Sequence, residues 1–596
     1  MSLSILVRIL SLLCVCSIAA ESHGQGFPNT YINWGLPNGG ALYNSATIGY
    51  NLPAYGGASS DAIGSENWSL VDMNGDARPD LVIPSAKDVA GNATEFSPNS
   101  NSFWKVYLNN GSGFSTAAMN WGLPNGGALF GGTTHGYYLT AYFDASSDQI
   151  GSENWSLMDI NGDARPDLVV TSAKDVAGNA TEFSPNSNSF WKVYLNNGSG
   201  FNTTAANWGL PNGGALFGGT TYGYYLTAYS DASSDQTGSE NWSLMDINGD
   251  ARPDLVIPSA KDATGNATEF SPNSNSFWKV YLNNGSGFST TVTNWGLPNG
   301  GAFYNSTTYG YYLTGHFDAY SDGTGSENWT VMDMNGDARP DLVVPSANDA
   351  TGNATEFSPN SNSFWKVYLN NGSGFNTTFT NWGLPNGGAL YNSTTIGYNL
   401  PAYAEAYSDA TGSENWSLMD LTGDERPDLV VPSAKDAAGN ATEFSPASNS
   451  YWKVYPNTGS GFNPSITTWS LPTGGALYNS TIIGYNLTGH FDAYSDQTGS
   501  ENWIVMDMNG DAHLDLVVPS AKDAVGNATE FSPTSNSYWK VYMDAGGTGL
   551  TAAAAASAPG LYPNPADASV RVSGAQPLGT VLLLDLQGRT VRTQAT

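Results

Sequence analysis

NWGLP, residues 33–37, stands ahead of anything it could complete. The same pentapeptide ends a longer unit at residues 120–124, after NWSLVDMN (67–74), DLVIPSAKD (80–88), SFWKVYLNN (102–110) and GSGF (111–114). That unit recurs. Its acidic phrase, DMNGDARPD at 72–80, starts again at Asp159, Asp246, Asp333, Asp420 and Asp507, always 87 residues on (159 − 72), which makes this a repeat protein. Within WKVYL, Trp104, Val106 and Leu108 alternate with Lys105 and Tyr107, the period of a strand with one buried face. No segment sustains a helical period. Four strands per unit with Gly-rich turns suit either a β-propeller blade or a solenoid rung, and the chain ends decide between them. The sixth WKVY, at Trp539, has no NWGLP after it, and the first NWGLP has no unit before it. A ring whose last blade borrows its outer strand from the N-terminus produces this offset, and closure removes exposed sheet edges. The expected fold is all-β, a six-bladed β-propeller over residues 27–545 built from six 87-residue repeats and closed by an N-terminal strand.

The chain carries 52 acidic against 20 basic residues, a formal charge of −32, which argues against a nucleic-acid or anionic-membrane surface and for a bound cation. Apolar residues at 40% supply a core, so the acidity does not signal disorder. Residues 1–20 read as a secretory signal peptide: one Arg, a short apolar run, and Ala19 and Ala20 at the expected cleavage point. Both cysteines, Cys14 and Cys16, fall inside it, so the exported part would have no disulfide and would need another source of stability, for which a metal is the natural candidate. No later stretch is apolar enough for a membrane span. The 18 tryptophans fall three to a unit, as Trp68, Trp104 and Trp121, a regularity that suits blade packing.

In D-x-N-G-D-A-R-P-D, oxygen side chains stand at positions 1, 3, 5 and 9, and the carbonyl of position 7 can turn inward. That is a set of hard oxygens suited to Ca²⁺. It is not an EF-hand, since position 12 is Ile83 where that motif needs Glu, and a strand follows. The candidate ligands are Asp72, Asn74, Asp76 and Asp80; Asp159, Asn161, Asp163 and Asp167; Asp246, Asn248, Asp250 and Asp254; Asp333, Asn335, Asp337 and Asp341; Asp420, Thr422, Asp424 and Asp428; and Asp507, Asn509, Asp511 and Asp515, for up to six Ca²⁺. The fifth set, with Thr422 in place of Asn, is expected to bind more weakly. Blade topology puts these loops on one face with the GSGF turns, and the long segments 85–102 and 125–152 on the opposite face. There the aromatics Phe96, Tyr137, Tyr138 and Tyr142 are candidate ligand contacts, because aromatic faces stack on sugars or peptides. Asp144, Asp148 and Glu153 read as a solvated acidic loop. The sequons at Asn67, Asn92 and Asn110 would matter only in a eukaryotic secretory route.

The loop, the strand after it and GSGF together resemble the FG-GAP and VCBS families, whose blades carry a D-x-[DN]-G-D-G-x-x-D calcium loop. The resemblance implies a propeller like that of integrin-type adhesion heads and some lectins, with ligands on the face opposite the calcium. Ala77, and Glu425 in the fifth copy, stand where those families have Gly. If the position needs a positive φ, both are costly. Residues 546–559 read as a linker. Residues 560–596, with YPNPA at Tyr562–Ala566 and VLLLDLQGRTV at Val581–Val591, resemble the opening part of a type IX secretion sorting domain, a small partial β-sandwich. That implies a Gram-negative cell that passes the protein through the periplasm to its surface.

Five histidines, none recurring in every unit, give no catalytic constellation. The expected function is therefore not enzymatic: a secreted or cell-surface, calcium-binding, monomeric ring that acts as a multivalent adhesion or carbohydrate-binding module, with a glycan or a matrix or surface protein as partner. A structural surface protein without a specific ligand and a calcium-assisted polysaccharide-active enzyme are the alternatives.

Overall fold

The computed structural model describes residues 25–40, 68–83, 103–124, 155–170, 190–211, 242–257, 277–298, 329–344, 364–385, 416–431, 451–472, 503–518 and 538–544, and the strands 560–562, 571–573, 580–584 and 590–595. The segments Gly24–Asp544 form one compact unit. It holds six four-stranded antiparallel sheets, the blades of a β-propeller. In the first blade the strands are Ser69–Val71, Asp80–Ile83, Phe103–Tyr107 and Met119–Gly122, in that spatial order. The second unit contains two hairpins, Gly560–Tyr562 with Arg571–Ser573 and Thr580–Leu584 with Thr590–Ala595. Among the described residues no helix is long and apolar enough to cross a membrane. The signal peptide at 1–20 and the linker at 546–559 lie outside the described residues.

The N-terminal strand closes the ring as the sequence predicts. Ile32–Gly35 pairs with Tyr538–Tyr542, Trp34 opposite Trp539 and Asn33 opposite Lys540. Within the first blade Trp104 lies opposite Trp121 and Lys105 opposite Asn120. The borrowed strand thus sits in the register of a native fourth strand. Upstream of it the sequence holds a second closing element. Phe27 is buried at 2% exposure against Trp452 and Trp469, and its N–H donates to Ser470 O at 2.9 Å. It is the counterpart of Phe114, which packs on Trp34 and Trp539. Residues 25–27 therefore stand where the sixth blade's own GSGF turn would end, and the ring is fastened at two seams by one N-terminal segment.

The core lies between blades rather than within them. Each cluster joins two neighbours: Trp104, Val82 and Met73 of the first blade meet Trp155, Leu168 and Phe201 of the second. The third-strand Trp of one blade packs on the first-strand Trp of the next all round the ring, as Trp104 does on Trp155 with ring centroids 6.0 Å apart. A sheet packed on both faces needs apolar residues on both. This explains the unbroken run Leu81-Val82, whose members face opposite seams. It also corrects one reading of the alternation: Tyr107, expected to face out, is buried on the seam opposite Val106.

Candidate metal centre

Each acidic loop links a blade's first and second strands and folds around its own first aspartate. Asp72 Oδ1 accepts the N–H groups of Gly75 (2.8 Å) and Asp76 (3.1 Å), and Oδ2 accepts that of Ala77 (2.8 Å). The other five loops repeat this arrangement. Wrapping three successive donors round one carboxylate requires a left-handed residue at position 6. The φ there is 66° at Ala77 and 65° at Glu425, and the same region holds Ala164, Ala251, Ala338 and Ala512. Position 6 thus carries the cost foreseen for a residue with a Cβ.

The ninth position is the bracket of the loop. Asp80 is fully buried, its Oδ2 accepting Met73 N–H (3.0 Å) and its Oδ1 accepting Asn109 N–H (2.8 Å). Burial, reinforced by the charges of Asp76 and Asp72, pushes its pKa up to about 7, against the pull of those two N–H bonds. Asp167, Asp254 and Asp341 are likewise pushed to about 7, Asp428 to about 6 and Asp515 to about 8. The carboxylates at positions 1 and 5 are therefore close enough to act on the one at position 9. The acidic loop and the GSGF turn share a face, as expected: Arg78 Nε donates to Asn109 O at 3.2 Å.

Asn109, which is not among the candidate ligands, is the joint between blades. Buried at 2% exposure, it donates through Nδ2 to Pro79 O in its own loop and to Met508 O in the previous blade's loop, while its Oδ1 accepts Gly111 N–H. Asn196, Asn283, Asn370 and Asn457 do the same. The available signal was recurrence every 87 residues.

The donor set fits a hard divalent cation in two respects. It is all oxygen, and side-chain oxygens at ligand positions are buried without a hydrogen-bond partner: Asn161 Oδ1, Thr422 Oγ1 and one carboxylate oxygen each of Asp167 and Asp254. The main-chain N–H of Ile160 and of Ile247 approach the last two without closing a bond. The fifth position is held differently. Asp76 Oδ2 pairs with Arg78 Nη2 and accepts from Asn74 Nδ2 (3.0 Å), so the carboxylate is turned onto its own arginine. As these side chains stand, no three acidic or histidine groups of the described residues converge as metal ligands. Phe96, Tyr137, Tyr138 and Tyr142, and the long segments that carry them, lie outside the described residues.

No family model matches the chain, and no curated protein matches it. Solved structures similar to it include a Photorhabdus luminescens Tc holotoxin pore (14% identity, TM-score 0.38), in which the match spans 87% of this chain but only 15% of that one. A lectin from Agrocybe aegerita, solved for its specific recognition of non-reducing terminal N-acetylglucosamine, matches at 14% identity and TM-score 0.32 over 80% of each chain. The V. cholerae biofilm matrix protein Bap1 matches at 11% identity and TM-score 0.20 over 89% of each.

Proposed function

We propose that this chain is a secreted or surface-attached binding module, a calcium-stabilised ring that engages a glycan or a matrix or surface protein through many equal weak contacts. The observation that carries the reading is the sixfold repetition of one unit in a closed ring. Six copies of a loop fixed on one rigid frame gain avidity through effective concentration, and near-identical units serve that purpose better than a unique reactive site. The contacts proposed are Phe96, Tyr137, Tyr138 and Tyr142 with their counterparts in the other copies. In each acidic loop the cation would be held by positions 1, 3, 5 and 9, where it would supply positive charge that the crowded carboxylates otherwise draw from main-chain N–H groups and arginine. The signal peptide and the sorting-domain resemblance supply the route to the cell surface.

A glycan array probed with the full exported chain, in calcium and then in EDTA, tests the reading. Calcium-dependent binding to a narrow set of sugars, lost when Tyr137, Tyr138 and their equivalents are changed to Ala, is the expected result. Silence in both conditions would overturn the glycan reading and favour a structural surface role.

A further inference from the structure

The six acidic loops are near-copies; besides Leu514 in place of the proline, the sixth unit departs at two positions that face each other. In the first five, the arginine at position 7 lies on the aspartate at position 5: Arg78 on Asp76, Arg165 on Asp163, and so on to Arg426 on Asp424. The sixth loop has His513 there. A histidine is too short to repeat the arrangement. Its ring packs over the previous loop's glycine, where a Cβ on Gly423 would lie 2.2 Å from His513 Cε1, and its Nδ1 faces Asp544 Oδ2 at 3.8 Å. Asp511 keeps its bonds from His513 N–H and Asn509 Nδ2 but has no guanidinium on it. Asp544 is itself the second departure. It occupies the place of Asn109, is 4% exposed, and donates its N–H to Asp515 Oδ1 at 2.9 Å.

The charge follows directly. A typical loop with its joint residue has three aspartates and an arginine seated on one of them; the sixth has four aspartates and no guanidinium on any of them. A guanidinium seated on a ligand carboxylate competes with an incoming cation twice, by occupying the oxygen and by repelling the ion. We infer that the loops form two classes: the sixth, with Asp507, Asp511 and Asp515, is the primary divalent-cation site, and the arginines of the other five are tethered counter-cations that an ion must displace. The inference rests on the proposed calcium reading and ranks its sites. The difference in affinity should reach about tenfold or more, since each unit charge near the site acts on a doubly charged ion.

Calcium titration of the full chain, stripped of metal and followed by calorimetry, tests it. The expected trace is one tight event of unit stoichiometry, then weaker ones. Asp511→Asn should remove the tight event alone, His513→Arg should move it into the weak class, and Arg78→His should add a second tight event in an otherwise native ring, as read by circular dichroism. Because the last is a gain, misfolding of a sixth-loop variant cannot imitate it. Six equal events in the unaltered chain, or a tight event that survives Asp511→Asn, would overturn the ranking and leave calcium binding intact. No heat at any calcium concentration would overturn the calcium reading itself, and the ranking with it.

Discussion

Changing all six position-6 residues (Ala77, Ala164, Ala251, Ala338, Glu425 and Ala512) to Gly should stabilise the ring. Each holds φ between 65° and 67°, where a Cβ crowds the following carbonyl. That conformation costs an L-residue roughly 1–2 kcal/mol, and a new glycine returns about 0.4–1 kcal/mol of that as added freedom of the unfolded chain. The net gain is about 0.5–1 kcal/mol per loop. Nothing else is lost: all six side chains are exposed, and the N–H that binds the first aspartate remains. The sites share no partner, so the gains should add to roughly 3–6 kcal/mol. With unfolding entropy near 2 cal/mol/K per residue, a ring of roughly 520 residues moves by about 1 °C per kcal/mol, so Tm should rise by about 3–6 °C. Differential scanning calorimetry of the sixfold variant in EDTA reads this without a contribution from bound metal. The control is Gly75→Ala, which forces a Cβ to 2.7 Å from Arg165 Cγ and should lower Tm. An unchanged or lower Tm in the sixfold variant would refute the strain argument.

Calcium at about 100-fold over its dissociation constant adds roughly 2.7 kcal/mol per occupied site, so EDTA should depress Tm markedly, and a scan indifferent to EDTA would count against a structural metal. In EDTA the pH dependence has a definite sign: Asp80 and its equivalents rise from 3.8 to between about 6 and about 8 on folding, so their stabilising contribution is complete below pH 3.8 and is lost as pH climbs through that range. Tm should therefore fall from pH 5 to pH 8 in EDTA, more steeply than in calcium; a profile that rises there would be wrong for these groups. Asn196→Ala leaves the carbonyls of Met73 and Pro166 and the N–H of Gly198 without their buried partner and should cost about 2–4 kcal/mol in urea unfolding. Phe27→Ala should cost about 3–5 kcal/mol, as for a core Phe, a loss that a purely flexible N-terminus would not show.

The features legible in the sequence were those written locally and repeated. Trp104-Lys105-Val106 announces a strand by alternation, and the spare NWGLP at 33–37 announces closure because a ring leaves a unit divided between its ends. What escaped depended on contacts between units. Phe27 lies one period before Phe114, yet its role emerges only against Trp452 and Trp469, hundreds of residues away. Asn109 resembles any turn asparagine until its amide reaches Met508 O across the seam. Arg78 was weighed only for its carbonyl, whereas its side chain holds the very carboxylate assigned to the metal. Tyr107 broke the alternation because a blade is buried on both faces, which a period of two cannot express.

These contacts change what the acidic loop is for. A loop that merely hung from its blade could bind an ion without consequence for the ring, but each one belongs to two seams. Met73 O, inside the first loop, accepts the amide of Asn196 in the second blade, and Gly75 lies beneath the stem of Arg165. Asp80 at the other end of the same loop ties it to the turn that carries Asn109, whose amide reaches back to the sixth blade. Whatever holds the carboxylates in place therefore also holds neighbouring blades in register, around a closed path. The sixth loop lies at the one seam where the bridging amide is replaced by Asp544, whose side chain has no amide N–H to give, and where Phe27 of the N-terminal segment enters instead. An ion bound there would reinforce the blade that the two ends of the chain share, at the seam where side-chain bridging is weakest, which is where added charge neutralisation has most to contribute.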